Sequence, residues 1–298
     1  MGTRACRADI GGGRAVSLDD VGDPAGVPVL YLHGTPSSRL ARPPDDEQLA
    51  ALGVRLLAVD RPGYGGSDGL PPGAPWVEAF AADVAAVLAA VGVGRCRVLA
   101  SSGGALAGLA LAANLSAQVD VLGIVGGIVP RQAFDNPEVR AAAGDLLATL
   151  ELADALPPGE LGRTVAPLLA PFPCDRALAL EHQDEHRHAV NTRELATVPR
   201  GAERMADAMV EAVRAGLAGV VADVEAQARP LDVDLSDVRC PVRLWYGRDD
   251  PVTPPAFGEW YARRLPDATL EIVDGAAHFL LFTRWADIVG ALAAADGA

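Results

Sequence analysis

The sequence has no lysine, and its acidic side chains outnumber its basic ones. All 25 basic residues are arginine, against 39 Asp and Glu, and the formal net charge is −14 at pH 7. A surface that binds nucleic acid or an anionic membrane needs excess positive charge to neutralise phosphate groups. The composition therefore argues against both kinds of partner, and it mildly disfavours strongly anionic substrates.

Paired cysteines and long apolar runs are also lacking. The four cysteines, at positions 6, 96, 174 and 240, form no C-x-x-C pair, which argues against a zinc knuckle or a dithiol redox motif and favours free thiols. No stretch reaches 18 uninterrupted apolar residues, and the first residues lack the apolar core of a signal peptide. These absences predict a cytoplasmic protein.

What the sequence does contain is enough apolar material for one large core. Half of the 298 residues are hydrophobic, and the mean hydropathy is +0.20. Helical patterns at 76–92 and 104–115 alternate with short, nearly continuous apolar runs that are typical of strands covered on both faces. The alternation predicts an α/β fold with a doubly wound, mostly parallel sheet. The predicted strands are 28–34, 54–60, 96–102 and 119–127.

The strand pattern then stops for about a hundred residues. Residues 131–236 are helical in pattern and interrupted by prolines, and strand-like runs return at 240–247 and 269–275. Because the strands on either side need each other to complete one core, we predict a core domain formed by 1–130 and 237–298. Residues 131–236 would be an inserted helical cap.

Two adjacent serines end the third of these runs, in the sequence VLASSGGAL. A strand that turns sharply into a helix needs small residues two positions before and after the turning residue. Ser102 has Ala100 and Gly104 at those positions, whereas Ser101 has a leucine at one of them. The pattern favours Ser102 as a nucleophile, with the Gly103 amide directed at a developing oxyanion. Small residues can also be required there by packing alone.

A serine nucleophile needs a base, and the base needs an acid that holds it. His278 follows the last predicted strand in the sequence DGAAHFLLF, and either Asp249 or Asp250 follows the strand before it. All three lie where parallel sheets place their chemistry, at the carboxyl ends of strands. A helix-capping histidine and an Asp-Pro turn are the structural alternatives.

Two further loops follow predicted strands. In YLHGTPSS, Gly34 allows close approach of the backbone, the Thr35 amide can supply a second oxyanion donor, and His33 is interpreted as structural. In DRPGYGGSD, residues 60–68, the glycines and proline indicate a turn that shapes the neighbouring loop, without a reactive group.

Taken together, HGTP, DRPGYGGSD, ASSGG, GRDDPVTPP and GAAHFLLF resemble the landmarks of the α/β-hydrolase superfamily in their usual order, over about 16–129 and from about 238 to the end. The resemblance, to serine-nucleophile, cap-containing bacterial members, selects Asp250 over Asp249. It implies a triad of Ser102, Asp250 and His278, with Thr35 and Gly103 as the oxyanion hole. Serine at position 102 argues against the epoxide and halide chemistry of relatives that carry aspartate there.

The predicted cap contains a histidine cluster in EHQDEHRHAV. His182 and His186 are four residues apart on a predicted helix, a spacing that can bind zinc, and His188 follows. The order H-E-x-x-H is absent, and the many charges favour a solvated surface instead. We therefore predict no metal site, while the role of the three histidines stays open.

Residues that line a substrate pocket cannot be separated from cap core by sequence alone. The candidates are apolar and lie within the predicted cap, which would cover the carboxyl edge of the sheet. Only 5% of residues are aromatic, so an aromatic cage is not indicated. The candidates are Phe134, Phe172, Met205 and Met209.

These observations predict a serine hydrolase that cleaves a small or medium acyl compound, most simply a carboxylic ester, through an acyl-enzyme on Ser102 and without cofactor or metal. Two alternatives stay open. The same triad could serve carbon–carbon bond hydrolysis, cyclisation or perhydrolysis, or the fold could serve as a ligand-binding receptor. The expected partner is a small molecule, and both a monomer and a homodimer are compatible with the sequence.

Overall fold

The computed structural model describes residues 4–43, 45–144, 146–157, 160–169, 175–186 and 188–295, without the side chains of 4, 163, 166–169 and 182–186. Its strands are β1 (Arg4–Gly11), β2 (Arg14–Gly22), β3 (Val27–Leu32), β4 (Val54–Val59), β5 (Cys96–Ser101), β6 (Val119–Val125), β7 (Val242–Gly247) and β8 (Ala268–Val273). They form one eight-stranded sheet in the order β1-β2-β4-β3-β5-β6-β7-β8. From β4 to β8 every neighbouring pair in this order is parallel, while β2 is antiparallel to both of its neighbours.

Helices cover both faces of the sheet because its central strands are apolar on both faces. In β5, Val98 and Ala100 join the core on one face and Leu99 joins the core on the other. The helices outside the region between β6 and β7 are α1 (Asp46–Ala51), α2 (Trp76–Ala90), α3 (Gly104–Asn114), α11 (Pro255–Ala262), α12 (Leu280–Thr283) and α13 (Trp285–Ala294). Side chains of α2, α3 and α11 belong to the first core, and those of α1, α12 and α13 to the second. The predicted α/β fold class is confirmed.

The described chain between β6 and β7 is helical. It comprises two 3-10 helices (Arg131–Asp135 and Leu235–Asp237) and α4 (Pro137–Ala142), α5 (Leu146–Ala155), α6 (Glu160–Leu169), α7 (Arg176–His186), α8 (Ala189–Ala196), α9 (Gly201–Ala212) and α10 (Ala218–Gln227). We call residues 131–236 the inserted segment; its status as a separate cap domain stays a prediction. Among the described residues, no helix is both long and apolar enough to cross a membrane.

Two features differ from the sequence-based prediction. The β1–β2 hairpin was not predicted, because β1 is an edge strand with mostly exposed or half-exposed side chains and therefore lacks a long apolar run. Its turn consists of Gly11, Gly12 and Gly13, all at positive φ, a conformation that glycine adopts without steric cost. The sequence pattern also predicts one final helix from about Phe279, whereas the structure divides this part of the chain into α12 and α13.

Candidate active site

Ser102 lies at the carboxyl edge of the sheet, between the end of β5 and the start of α3. Its φ is +50°, a backbone conformation that non-glycine residues rarely adopt and that marks local strain. The Ser102 amide donates to the Val125 carbonyl (3.1 Å), and the Ser102 carbonyl accepts from Ala105 in α3 (3.1 Å). The strand-to-helix turn therefore has the sharp geometry that the small flanking residues predicted.

The small residues around this turn are required by close backbone approach. A Cβ atom on Gly104 would lie 2.5 Å from the Leu32 carbonyl oxygen, and one on Gly34 would lie 2.9 Å from the Ser102 Cβ. Ala100 is fully buried in the core beneath α3. Larger side chains at these positions would force α3 and the loop after β3 away from Ser102.

The structure brings three of the predicted site residues into one hydrogen-bonded chain. His278 Nε2 is 3.2 Å from Ser102 Oγ, and His278 Nδ1 is 2.8 Å from Asp250 Oδ2. Ser101 Oγ instead faces the Tyr31 hydroxyl at 3.2 Å. Asp249 is exposed, whereas Asp250 is 3% exposed. The arrangement thus distinguishes the two serines and the two aspartates.

Asp250 is held by its own loop. Its Oδ1 accepts from the backbone amides of Val252 (2.8 Å) and Thr253 (3.0 Å), and its Oδ2 accepts from the Thr253 hydroxyl (2.6 Å). Thr253 Oγ1 also lies 3.1 Å from His278 Nδ1. Thr253 lies within the sequence GRDDPVTPP and was not predicted as a site residue.

Electrostatics favour an ionised Asp250 beside a readily protonated His278. Burial alone would raise the pKa of Asp250, but the charge and hydrogen bond of His278, together with the Thr253 hydrogen bonds, lower it below its ordinary value. Burial alone would lower the pKa of His278, but the charge and hydrogen bond of Asp250, with a smaller contribution from Glu194, raise it. His278 is therefore well suited to accept a proton and to hold it.

Thr35 and Gly103, whose amides are the two predicted oxyanion donors, lie next to each other. A Cβ atom on Gly103 would lie 2.3 Å from Thr35 Oγ1, so only glycine fits there without displacing Thr35. Among the described residues, the structure gives neither the Thr35 amide nor the Gly103 amide a hydrogen-bond acceptor. The Gly103 amide precedes the first turn of α3, where helix geometry favours negative charge.

His33 is buried and holds the loop after β3. Its Nε2 accepts from the Arg61 amide (3.1 Å), and its Nδ1 lies 2.8 Å from the Gly34 carbonyl. Burial, and then the nearby Arg61 charge, hold the pKa of His33 well below its ordinary value. The imidazole is neutral and is fully used in these contacts, as expected for a structural residue.

A buried ion pair joins the loop of Thr35 to helix α10. Asp223 of α10 accepts from Arg61 (2.8 Å), from the Thr35 hydroxyl (2.6 Å) and from the Tyr64 hydroxyl (2.7 Å), and Gln227 Nε2 donates to Thr35 Oγ1 (2.8 Å). The sequence DRPGYGGSD, interpreted as turn chemistry alone, thus also supplies Arg61 and Tyr64. The sequence signal that could have identified these two residues was the presence of polar side chains within a glycine-rich loop.

The backbone of helix α10 also closely approaches the backbone of the loop formed by residues 60–68. A Cβ atom on Gly219 would lie 2.7 Å from the carbonyl oxygen of Gly63, so the two glycines allow contact without side chains between them. This contact places Asp223, one turn further along α10, over Thr35.

Two cavities meet at Ser102. The first, of about 250 Å³, is mainly apolar; its lining includes Ser102, His278, Met205, Met209 and Phe282. The second, of about 240 Å³, is lined by Ser102 and Gly103 together with Ile128, Leu146, His188 and Val252. A substrate could therefore place one group on each side of the serine.

The remaining candidates from the sequence are distributed as follows. Met205 and Met209 line the first cavity, whereas Phe134 is buried against Phe257, with ring centroids 5.8 Å apart. Phe172 and the side chains of His182 and His186 lie outside the described residues. Among the described side chains, no three His, Cys, Asp or Glu residues are grouped as a metal site would require.

Comparison with known proteins decides the family. The model of the alpha/beta hydrolase fold family matches residues 27–284. The chain belongs to this family. A curated relative, the pimeloyl-[acyl-carrier protein] methyl ester esterase of Chromobacterium violaceum, is 40% identical over 70 residues, which is 24% of this chain and 26% of that protein. The chain thus matches about a quarter of that relative's length.

Solved structures of alpha/beta hydrolases resemble the whole chain at low sequence identity. An esterase from Rhodococcus sp. ECU1013 has a TM-score of 0.67 at 22% identity, covering 100% of both chains. A bromoperoxidase from Bacillus anthracis has a TM-score of 0.69 at 18% identity, covering 96% of this chain and 97% of its own. An esterase and a bromoperoxidase both share this fold, so the resemblance supports the fold and leaves the reaction to the site.

Proposed function

We propose that the protein is a serine hydrolase that cleaves carboxylic esters of small or medium acyl groups, with Ser102 as nucleophile, His278 as general base and Asp250 as the acid that orients it. The observation that carries the proposal is the continuous chain from Ser102 Oγ through both nitrogens of His278 to Asp250, at 3.2 and 2.8 Å. These distances fit proton transfer from the hydroxyl to the imidazole.

In the first step, His278 Nε2 accepts the Ser102 proton as Oγ attacks the ester carbonyl carbon. The charge of Asp250, held in the ionised form, stabilises the imidazolium that forms and keeps the Nδ1 proton on the side of the carboxylate. The negative charge that develops on the carbonyl oxygen is accepted by the Thr35 and Gly103 amides. Such preorganised donors contribute about 3–4 kcal/mol each to transition-state stabilisation.

The intermediate then collapses to an acyl-enzyme. His278 donates its Nε2 proton to the departing alkoxide, and the alcohol leaves. Water next loses a proton to His278 and attacks the acyl carbon, and collapse of the second intermediate returns the proton to Ser102 Oγ. One ester and one water thus give one acid and one alcohol.

The cavities indicate the kind of substrate. The first cavity, at about 250 Å³, is less than twice the size of a 150 Å³ apolar cavity that binds benzene, so it suits a short aliphatic or single-ring group. The match to a methyl ester esterase, though confined to a quarter of that protein, also favours ester substrates.

The proposal is tested by intact mass after exposure to a fluorophosphonate probe. The parent is expected to gain one probe mass, Ser102→Ala none, and Ser101→Ala, the matched control one residue away, the same mass as the parent. A panel of p-nitrophenyl esters of graded acyl length then measures turnover. A folded parent that gains no mass, or that is labelled but hydrolyses none of the esters, would refute the proposal.

A further inference from the structure

We propose, on the basis of the serine hydrolase function above, that Glu194 and Asn191 of helix α8 are positioning residues for His278, so that the inserted segment is part of the catalytic machinery as well as a cover for the pocket. Neither residue touches Ser102, and neither was singled out by sequence analysis. Both act on the backbone that carries the imidazole.

The contacts form a clamp on three consecutive backbone amides. Glu194 Oε1 accepts from the Ala277 amide (2.8 Å) and Oε2 accepts from the Phe279 amide (2.6 Å), while Asn191 Oδ1 accepts from the His278 amide between them (3.2 Å). Two side chains of one helix thus accept from the amide of the proposed base and from the amides of its two neighbours in the chain. We call this group of three hydrogen bonds the α8 clamp.

The clamp restrains the loop between β8 and α12, which carries His278. Residues 274–279 connect β8 to α12 without regular secondary structure, and among the described residues the amides of Ala277, His278 and Phe279 have no backbone acceptor in a strand or helix. Side-chain acceptors supplied by α8 replace those partners, and a carboxylate forms stronger hydrogen bonds than a neutral acceptor. The His278 backbone is therefore fixed relative to the inserted segment.

The side chains of the clamp are sheltered from solvent. Asn191 is 3% exposed and Glu194 is half-buried. Beside them, Leu195 of α8 packs against Ala208 and Phe282, with Phe279 against the same cluster. This apolar contact keeps α8 against the loop and limits the freedom of the Glu194 carboxylate.

Glu194 also contributes charge. The charged groups that act on His278 are Asp250, from the loop after β7, and Glu194, from α8; both raise the pKa of His278 against the opposing effect of burial. Burial raises the pKa of Glu194 itself, while the Ala277 and Phe279 amides lower it, the Asp250 charge raises it and the His278 charge lowers it. Removal of the Glu194 charge should therefore lower the pKa of His278.

The experiment measures the second-order rate constant of fluorophosphonate labelling against pH, which reports the ionisation of His278 without knowledge of the substrate. Labelling requires neutral His278 and falls as pH drops through its pKa. Glu194→Gln keeps the shape, removes the charge and replaces one of the two acceptor oxygens by an NH2 group, so one clamp hydrogen bond is lost as well. In this variant the acidic limb of the pH profile is expected to move to lower pH by roughly half a unit. In Glu194→Ala, which removes both acceptors, the plateau rate is expected to fall about tenfold or more.

Two controls separate positioning from general stability. Leu195→Ala removes packing on the same helix but leaves the clamp charge in place, so it should lower the melting temperature without moving the acidic limb. Glu47→Gln makes the same charge change on the exposed face of α1 and should match the parent. Glu194→Asp keeps the charge on a shorter side chain, so its acidic limb should match the parent while its plateau rate falls.

An unchanged acidic limb and plateau in Glu194→Gln and Glu194→Ala would overturn the inference. If Glu194→Gln does not fold, Glu194→Asp and Asn191→Ala decide: a parental plateau rate in both overturns it, and a reduced plateau in both supports it. A parent that is not labelled at any pH overturns the proposed function instead, so the two failures are distinguishable.

Discussion

Asp223→Asn is the substitution whose effect follows most directly from the structure. Asp223 and its partner Arg61 are 5% and 2% exposed, and the pair joins helix α10 to the loop that carries Thr35. The amide of asparagine has nearly the same shape but no charge. The Arg61 guanidinium would stay buried without its counter-ion, and the hydroxyls of Thr35 and Tyr64 would lose a charged acceptor.

The expected loss can be sized from these contacts. Removing one partner of a buried ion pair typically costs about 3–5 kcal/mol. Arg61 would keep its hydrogen bonds to the carbonyl oxygens of His33 and Gly34, at 3.0 and 2.9 Å, so we expect a value near the lower end, about 3 kcal/mol. Because Thr35 loses its charged acceptor on α10 and keeps the hydrogen bond from Gln227, labelling of Ser102 should also slow by about tenfold or more.

Urea unfolding followed by circular dichroism measures the free energy of unfolding, and the fluorophosphonate rate measures the site. Asp207→Asn is the matched control, because Asp207 pairs with Arg176 at an exposed position and should cost about 1 kcal/mol or less. Equal losses in both variants would refute the argument from burial. So would an additive double-mutant cycle with Arg61→Met, since a coupled pair deviates from additivity by about 0.5–3 kcal/mol.

Further predictions concern pH, packing and the pocket. The pKa of His278 is raised above the ordinary histidine value of 6.5, and protonation removes the base as the pH falls through this raised pKa. The rate of ester hydrolysis should therefore fall on the acidic side of its pH profile with a midpoint above pH 6.5. A midpoint below pH 6.5 would contradict this prediction. Gly104→Ala places a Cβ 2.5 Å from a backbone oxygen and should lower the free energy of unfolding by about 1–3 kcal/mol, whereas Gly69→Ala, with no atom within 4 Å of the new Cβ, should not; equal urea midpoints would refute the packing argument. Met209→Ala enlarges the first cavity and should shift the preferred p-nitrophenyl ester to a longer acyl chain, while an unchanged preference would show that the acyl group does not lie against Met209.

The sequence alone predicted most of the sheet and the position of the serine turn. Strands that are covered on both faces, such as β5, consist of continuous apolar runs, which are easily recognised in a sequence. The small residues on both sides of Ser102 are required for steric reasons in any sharp strand-to-helix turn of this kind. The positions of His278 and of Asp249 and Asp250 directly after predicted strands indicated the base and the acid, and the resemblance to a known family then selected Asp250 over Asp249. Both the strand pattern and the serine turn depend on residue type and spacing, which can be read from the sequence without knowledge of the tertiary structure.

The β1–β2 hairpin shows where local pattern was insufficient. Its edge strand β1 exposes most of its side chains, so pairing with β2 rather than a continuous apolar run gives it its conformation. The conformation of β1 therefore depends on its pairing with β2 and on the glycine turn between the two strands, and the side-chain pattern of β1 alone does not indicate it.

Only the tertiary structure decided which polar groups surround the site. Asp249 and Asp250 are the same residue type on the same loop, and their difference is that Asp250 is buried beside His278. Glu194 and Asp223 read in sequence as ordinary acidic residues of solvated helices, yet they accept hydrogen bonds from residues 85 and 188 positions away along the chain. A buried charge is stable only where specific partners replace water, and partners that distant are brought together by the packing of α8 and α10 on the loops of the sheet.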